Sequence, residues 1–322
     1  YKTFGHNEML PDGDIDELNA FLRKYIKTDI PEPSDKIERL SVKYSYPVFA
    51  VKKLCKDYGE EKAEKIMAQD GERTTVRFNK NIDGEKYLEE RRWNFEKTPF
   101  DNAFFVKGFK RDEDYDKGIY TFQSVGSVAI CDIVNGGNNL LDACAAPGGK
   151  TVNLADKFDK VTAFELHEHR AELIGEYAER MQKNNITTVC RDSSVYDESY
   201  AEKFAVVLCD VPCSGYGVVK DNPDIKLRRT EQDIAELNKI QSEILETCSK
   251  YVKKGGYIYY STCSVFKDEN ERICLDFLKN NKNFAPCGID SKLPCEKTAV
   301  GVSFFPDISF GAGFYVCKLK KD

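Results

Sequence analysis

From residue 139 onward, short apolar runs alternate with stretches of helical periodicity. Five runs have the length and composition of buried strands: NLLDAC, KVTAFEL, ITTVCRD, FAVVLCD and GYIYYST. Between them, HRAELIGEYAERMQKNN places Leu173, Ile174, Tyr177, Ala178 and Met181 on one helical face, and a longer stretch bounded by Thr230 as N-cap and Gly255 as stop also places its apolar residues on one face. This alternation predicts an α/β fold with a doubly wound, mostly parallel sheet. In such sheets ligands bind at the carboxyl ends of the strands.

The chain before this region follows a different pattern. Residues 17–26 have one apolar helical face, and residues 28–36 are proline-rich and polar, which is typical of a linker. Residues 46–69 predict two helices interrupted at Gly59. Residues 74–111 combine short strand patterns with a charged helix, which predicts a small α+β module. The aromatic residues of this module are expected to lie in its core.

Composition and charge indicate a soluble globular protein. The 322 residues are 41% hydrophobic and 32% charged, and the net charge is −6. No apolar run approaches the roughly 18 residues of a membrane span, so no membrane is expected. The chain begins with Tyr1, so we expect a trimmed piece of a longer protein. The net charge does not indicate a nucleic-acid partner, although local basic clusters, such as the one within residues 220–229, fit either an RNA contact or a solvated face.

Twelve cysteines and three histidines are present. A long, lysine-rich chain without a CxxC pair fits neither a disulfide framework nor a zinc site, so we expect a cytoplasmic, reduced protein without a metal. Most of the cysteines are expected to be small core residues. This group comprises Cys131, Cys190, Cys209, Cys248 and Cys274.

The loop after the first strand of the sheet, LLDACAAPGGKT, is built from small residues. Small residues let a ligand approach the backbone closely, and a helix beginning near Gly149 offers free N–H groups to a carboxylate or phosphate. The loop matches neither GxGxxG nor GxxxxGK[ST], so it is neither a dinucleotide fingerprint nor a phosphate loop.

Acidic residues are expected at the ends of the next three strands: Glu165, Asp192 and Asp210. Any one of them fits the role of a cap for the following helix. Three together around one small-residue loop suit an adenosine ligand that carries a cation and a carboxylate. The arrangement therefore predicts S-adenosylmethionine as cofactor.

Two cysteines follow the fourth and fifth strands, in DVPCSGYG and YSTCSVFKDENE. Cys213 and Cys263 fit buried structural thiols, but their polar and glycine-rich flanks favour partly exposed, reactive ones. A thiolate that adds to carbon 6 of a pyrimidine makes carbon 5 nucleophilic, and a second thiol can assist its release as acid or base. Asp210 is a candidate to stabilise the adduct near ring nitrogen 3, with Lys150 orienting its carboxylate.

At this point ACAAPGGKT, DVPCSGYGVVKDNPDIK and STCSVFKDENE resemble the motifs of the RNA 5-methylcytosine methyltransferases of the RsmB/NOL1/NOP2/Sun family. GIYTFQSVGSVA and the closing SFFPDISFGAGFYVCKLKK also resemble segments of that family, in the family's order. The resemblance covers about residues 40–322. Within the family the chain most resembles a bacterial small-subunit rRNA enzyme that lacks most of its NusB-like helical domain.

The resemblance implies a Rossmann-like class I S-adenosylmethionine-dependent methyltransferase sheet with a small α+β, RRM-like N-terminal module. We expect a remnant of the NusB-like domain and linker in residues 1–40, a helical plus RRM-like RNA-binding module in residues 41–117, and the catalytic domain in residues 118–322.

The resemblance also assigns the site. It implies that Cys263 is the nucleophile and Cys213 the releasing thiol, whereas DNA methyltransferases place their nucleophile in a Pro-Cys motif. Cofactor contacts are implied for Glu165, Asp192, Asp210 and the loop residues Cys144, Ala145, Ala146, Pro147, Gly148, Gly149 and Lys150. Two departures from the family pattern are Val211, usually a small alanine, and Glu165, often an aspartate.

The expected function is S-adenosylmethionine-dependent methylation of carbon 5 of a cytosine in RNA, and the RNA expected first is small-subunit ribosomal RNA. The protein is expected to be a monomer. Two other functions fit less well. A methyltransferase acting on protein or a small molecule rarely needs the Pro-Cys and Thr-Cys pair. An RNA-binding assembly factor that has lost its chemistry has no need of Cys213, Cys263 and Asp210, all of which are present.

Overall fold

The computed structural model describes Asn19, Ala20, Arg23 and residues 33–322. The predicted helix at residues 17–26 lies outside this range except for those three positions, which are helical. The predicted linker at residues 28–36 lies partly outside it. Its end differs from the prediction, because Lys36 already belongs to a helix whose N-cap is Asp35, which accepts a hydrogen bond from the backbone N–H of Glu38 at 2.9 Å.

Within residues 33–322 three helices come first, and the two predicted around Gly59 are confirmed. The helices are α1 (Lys36–Tyr44), α2 (Val48–Tyr58) and α3 (Glu60–Ala68). Gly59 separates α2 from α3 with a φ of 78°, a left-handed value that glycine adopts without strain.

A four-stranded antiparallel sheet follows, with the strand order β2-β3-β1-β4. Its elements are β1 (Thr75–Phe78), α4 (Gly84–Glu90), β2 (Phe95–Lys97), β3 (Ala103–Val106), α5 (Glu113–Asp116) and β4 (Tyr120–Phe122). The chain therefore leaves the small sheet after Phe122 rather than at the expected boundary near residue 117, because β4 pairs with β1.

The rest of the chain builds one large sheet with helices against it. Its elements are α6 (Val125–Ile133), β5 (Gly137–Asp142), α7 (Gly149–Leu154), β6 (Phe158–Glu165), α8 (Glu168–Arg180), β7 (Ile186–Cys190), β8 (Phe204–Asp210), α9 (Ile225–Arg228), α10 (Glu231–Ser249), β9 (Val252–Thr262), α11 (Glu271–Asn280), β10 (Phe284–Pro286), β11 (Glu296–Lys297), β12 (Val302–Phe304) and β13 (Phe314–Lys321).

The predicted doubly wound sheet is confirmed. The strand order is β11-β12-β13-β9-β8-β5-β6-β7, with β10 beside β13. The strands from β5 to β9 pair in parallel, and the C-terminal strands are antiparallel. From β5 the chain runs outward through β6 and β7, then returns to place β8 on the other side of β5. The carboxyl ends of β5 and β8 therefore flank a topological switch point, where such folds bind ligands.

The small sheet is covered on both faces. Val76, Phe78 and Phe104 pack in an aromatic cluster under α4, whereas Ala103 and Phe105 belong to the core of the large sheet. All four residues of β1 and of β3 are buried. The central strands of this module therefore supply core, not a surface on which unpaired bases could stack.

Helices α1–α3 pack against the loops that follow β8 and β9. Their apolar residues form one buried cluster with Tyr216, Phe266 and Phe305. The hydroxyl of Tyr58 donates a hydrogen bond to the backbone carbonyl of Val265 at 2.7 Å. The segment before the small sheet thus supports the loops that carry Cys213 and Cys263.

Within the residues just defined, no helix has the length and apolar character needed to cross a membrane.

Candidate active site

A cavity of about 640 Å³ opens at the carboxyl ends of β5, β6 and β8. One side is formed by the predicted cofactor loop and strand-end acids, and the other by apolar residues of α10. Both predicted reactive thiols lie at it. The predicted site residues that line it are Cys144, Ala146, Glu165, Asp192, Asp210, Cys213 and Cys263.

The remaining predicted loop residues support the cavity from behind. Ala145 packs in a small apolar cluster with Ala163 and Ile174. Pro147, Gly148 and Gly149 lead into α7, and Gly148 has a φ of 101° that favours glycine. Lys150 reaches the cavity through its ion pair with Asp210.

The start of α7 is held by Asp142, a residue that the motifs did not single out. Its buried carboxylate accepts a hydrogen bond from Thr151 Oγ1 at 2.7 Å. Burial raises the pKa of Asp142 to about 6, and the charge of Asp210 adds to the rise, while the hydrogen bond from Thr151 opposes it. This carboxyl fixes the loop rather than facing the cavity.

Glu165 ends β6 and is buried. Its Oε1 accepts hydrogen bonds from the backbone N–H of His167 at 3.1 Å and from Arg170 Nη1 at 3.2 Å. Arg170 Nη2 also donates to the carbonyl of Ala146 at 3.2 Å. Arg170, which sequence reasoning missed, therefore ties the acid of the second strand to the cofactor loop.

Asp192 does not end the third strand, contrary to the prediction. β7 stops at Cys190, so Asp192 lies two residues beyond it in a turn, where Oδ1 accepts hydrogen bonds from the backbone N–H and the hydroxyl of Ser194 at 2.8 and 2.6 Å. The side chain is exposed and still lines the cavity.

Lys150 and Asp210 form an ion pair at the switch point. Lys150 Nζ lies 2.7 Å from Asp210 Oδ2, and Ser261 Oγ donates to Asp210 Oδ1 at 2.7 Å. Burial lowers the pKa of Lys150, but the charge and hydrogen bond of Asp210 outweigh it and raise the pKa above its usual range. The lysine therefore stays an ammonium beside Asp210, and it interacts electrostatically with Cys263.

Cys213 and Cys263 meet in the wall of the cavity. Their Sγ atoms lie 2.9 Å apart, within hydrogen-bonding distance, and both residues are half-buried. Cys263 comes directly after β9, and Cys213 lies in the loop after β8. Two adjacent parallel strands thus deliver the two thiols to one point.

The pKa of Cys213 is raised well above its ordinary value. The hydrogen bond with Cys263 is the largest cause, followed by burial and by the charges of Cys263 and Glu269. The backbone N–H of Gly215 opposes this rise, and that of Cys263 also lies 3.2 Å from Cys213 Sγ. A raised pKa favours the protonated thiol form of Cys213, and either sulfur can be the donor in the contact between the two thiols.

All twelve cysteines are free, and all lie among the described residues. Of the five expected in the core, four are buried, but Cys190 is exposed because it ends the edge strand β7. In the part of the chain that the structure describes, His, Cys, Asp and Glu side chains form no group of three that could hold a metal.

The cavity fits an adenosine cofactor. Glu165 and Asp192 offer acceptor oxygens, and Leu237, Ile240 and Ile244 provide an apolar wall opposite them. The flat adenine base would pack on the apolar wall, and the ribose hydroxyls and the cationic centre would meet the acidic side chains. Val211, where the family usually has alanine, lies buried in the cavity wall and removes no polar group.

Comparison with known proteins gives one consistent result. Residues 130–320 match the model of the family described as "16S rRNA methyltransferase RsmB/F". A Bacillus subtilis protein named "Probable ribosomal RNA small subunit methyltransferase B" is 30% identical over 94% of this chain and 73% of that protein. A Photorhabdus laumondii "Ribosomal RNA small subunit methyltransferase B" is 35% identical over 64% of this chain, but only 48% of its own length is covered.

Solved structures agree with this result. The crystal structure of PH0851 has a TM-score of 0.83 and 26% identity, and the match covers 94% of this chain and 72% of that one. The structure of "NSun6 from Pyrococcus horikoshii with SFG" has a TM-score of 0.67 over 84% of this chain and 97% of that one; at 17% identity it shows the fold alone. The predicted Rossmann-like methyltransferase fold is thereby confirmed.

Proposed function

This chain belongs to the RsmB/F family of 16S rRNA methyltransferases, and we propose that it methylates carbon 5 of a cytosine in small-subunit ribosomal RNA through a covalent cysteine adduct. Its cofactor is S-adenosylmethionine, which supplies the methyl group when bound. The observation that carries the proposal is the pair of thiols 2.9 Å apart that line the predicted cofactor cavity.

Binding of the cofactor falls to the cavity-lining residues. Glu165 and Asp192 would accept hydrogen bonds from its hydroxyl and amino groups, and the small residues Cys144 and Ala146 allow close approach to the backbone. Arg170 would hold Glu165 in place, since it bonds both that carboxylate and the loop.

The first chemical step belongs to Cys263. Its sulfur, as thiolate, forms a bond to carbon 6 of the cytosine, and the electron pair of the carbon 5–carbon 6 double bond makes carbon 5 nucleophilic. Negative charge that develops towards ring nitrogen 3 would be met by the Lys150–Asp210 pair, which can hold a proton there. The cytosine must be unstacked to enter the cavity.

Release belongs to Cys213. After methylation the carbon 5 proton must leave, and the bond between carbon 6 and Cys263 Sγ must break with its electrons returning to sulfur. Cys213 lies beside that sulfur and can either accept the carbon 5 proton or protonate the departing thiolate. The net products are the methylated base, S-adenosylhomocysteine and one proton.

A denaturing gel tests the proposal. The wild type, Cys213→Ala and Cys263→Ala would each be incubated with S-adenosylmethionine and unmethylated small-subunit rRNA. We expect a protein–RNA adduct to accumulate with Cys213→Ala and to be absent with Cys263→Ala. An adduct with Cys263→Ala instead would reverse the two roles, and no adduct with any variant would overturn the covalent route on this RNA.

A further inference from the structure

Each of the two thiols is followed in the chain by a serine, and both serines bond the same carboxylate. Ser214 Oγ and Ser264 Oγ each lie 2.5 Å from Glu269 Oε2, and the two hydroxyl oxygens lie 3.3 Å from each other. The Glu269 side chain thus connects the loop after β8 with the loop after β9.

Two further donors complete the arrangement. The backbone N–H of Ser214 donates to Glu269 Oε1 at 2.7 Å, and Gln241 Nε2 donates to the same oxygen at 3.1 Å. Gln241 Nε2 also donates to the carbonyl of Pro212 at 2.9 Å. Four donors on two oxygens match an acceptor-only carboxylate, and they hold the residues on both sides of Cys213.

Glu269 is fully buried, which is costly for a carboxylate unless every oxygen is hydrogen-bonded. Its backbone carbonyl is fixed as well, because the hydroxyl of Tyr260 on β9 donates to it at 2.6 Å. Glu269 is not among the residues that line the described cavity, so it can act only through the loops it holds.

We propose that Glu269 is a positioning residue that sets the distance between Cys213 and Cys263, an inference whose catalytic meaning rests on the proposed function. Without it, each loop would keep its strand but lose the shared anchor one residue beyond its thiol. The two sulfurs would then meet less often, and both adduct formation and release would slow.

The distance between the thiols can be measured without RNA or cofactor. In a glutathione redox buffer, the equilibrium constant for the Cys213–Cys263 disulfide reports how closely the protein holds the two sulfurs. The thiols of Cys213 and Cys263 together lose two protons and two electrons as the disulfide forms. Oxidised glutathione takes up both and becomes two molecules of reduced glutathione. Peptide mapping by mass spectrometry would quantify this pair among the twelve cysteines.

We expect Glu269→Gln, Ser214→Ala and Ser264→Ala to lower this constant about tenfold, since each weakens a hydrogen bond to a buried charge. Glu271→Gln is the matched control. Glu271 stands two residues away and bonds Lys267 and the backbone of Ala299 instead, so its substitution should leave the constant within twofold of wild type. Circular dichroism checks the fold. If Glu269→Gln does not fold, the two single-hydroxyl deletions make the same comparison.

Constants equal to wild type in the folded variants would overturn the positioning role. Methylation kinetics add a second readout: kcat should fall in Glu269→Gln while KM for S-adenosylmethionine stays unchanged, and a change in that KM alone would also overturn the role. If the disulfide constant shifts as expected but the wild type forms no RNA adduct, the positioning role stands and only the proposed function fails.

Discussion

Cys213 Sγ and Cys263 Sγ lie 2.9 Å apart although 50 residues of chain separate them. Two other thiol pairs in the protein, Cys209 with Cys248 and Cys274 with Cys317, are also neighbours, but all four residues are buried in the core. The pair at the cavity is the one that a solute can reach. This difference in access has a chemical consequence.

We expect mild oxidation to inactivate the protein reversibly through this pair. Oxidised glutathione should form the Cys213–Cys263 disulfide before the two buried pairs, because exchange requires an accessible thiolate. Methylation should stop and return on reduction with dithiothreitol. Peptide mapping before and after reduction checks the assignment, and Cys190→Ser, which removes an exposed cysteine elsewhere, should behave as wild type. Inactivation without a Cys213–Cys263 peptide would contradict the prediction.

Replacing Lys150 by methionine should reduce the methylation rate by about a hundredfold or more, in the range for loss of a positioned proton donor. The change keeps most of the length of the side chain but removes the ammonium, and it leaves Asp210 with Ser261 as its remaining polar partner among the contacts described. Single-turnover methylation with labelled cofactor is the measurement. Lys160→Met, at an exposed position on β6, is the control. A rate within threefold of wild type in Lys150→Met would exclude the ion pair from the chemistry.

Alanine substitutions at two glycines should change the stability of the protein in opposite directions. A Cβ on Gly126 would lie 1.5 Å from Phe314 Cε2, so Gly126→Ala should destabilise the protein by about 1–3 kcal/mol. A Cβ on Gly175, in the exposed middle of α8, would meet nothing within 4 Å. Gly175→Ala should therefore stabilise by about 0.5–1 kcal/mol through helix propensity. Urea unfolding of both variants measures the two signs; equal effects would show that Phe314 moves freely aside.

The raised pKa of the Glu72 carboxyl should lower the free energy of unfolding as the pH rises. Burial raises its pKa from 4.5 to about 7; the backbone N–H of Gly126 opposes this rise, and the charge of Asp221 adds to it. The folded state therefore keeps a proton that the unfolded chain releases near its ordinary pKa. The stabilisation is complete below pH 4.5 and disappears as the pH rises to about 7.

Glu72→Gln keeps the neutral form at every pH. The difference in free energy of unfolding between Glu72→Gln and wild type should therefore shift in favour of the variant from pH 5 to pH 8. The shift should be at most about 3 kcal/mol, since one pKa unit corresponds to about 1.4 kcal/mol. Urea unfolding at the two pH values measures the difference. Glu90→Gln, on the exposed end of α4, should show no such dependence. A constant difference between Glu72→Gln and wild type would mean that the carboxyl is ionised throughout.

Local patterns were sufficient to predict the order of strands and helices. Thr230 caps α10 as expected: its Oγ1 accepts a hydrogen bond from the backbone N–H of Asp233, and its own backbone N–H donates to the Asp233 carboxylate. This cap could be predicted because it depends on residues three positions apart. Two details of the pattern were wrong. Leu173, placed on the buried stripe of α8, is 44% exposed, and Gly255, expected to stop α10, lies within β9 while the helix ends at Ser249. Both depend on how the helix meets the sheet.

In the site, too, local motifs could be predicted and residues that act through tertiary contacts could not. The cofactor loop and both thiols carry motifs, so they could be named from the chain alone. Glu269 could not, because its role arises only where two loops 50 residues apart converge. The repeated Cys-Ser dipeptide was the one local signal for it. Arg77 is a second case. Its buried Nε donates to Gln123 Oε1 at 2.6 Å, and Gln123 in turn donates to the carbonyl of Gly149, which links the small sheet to the cofactor loop.

The strand that carries Cys263 lies between two other strands. β9 pairs with β8 on one side and with β13 on the other. Helices α1–α3 pack against the loops beyond it. During synthesis, β9 therefore gains its second neighbour only after β13, which follows it in the chain, has left the ribosome and docked. We expect a nascent chain to acquire activity only at that point, and removal of β13 to cost activity before it costs the rest of the fold.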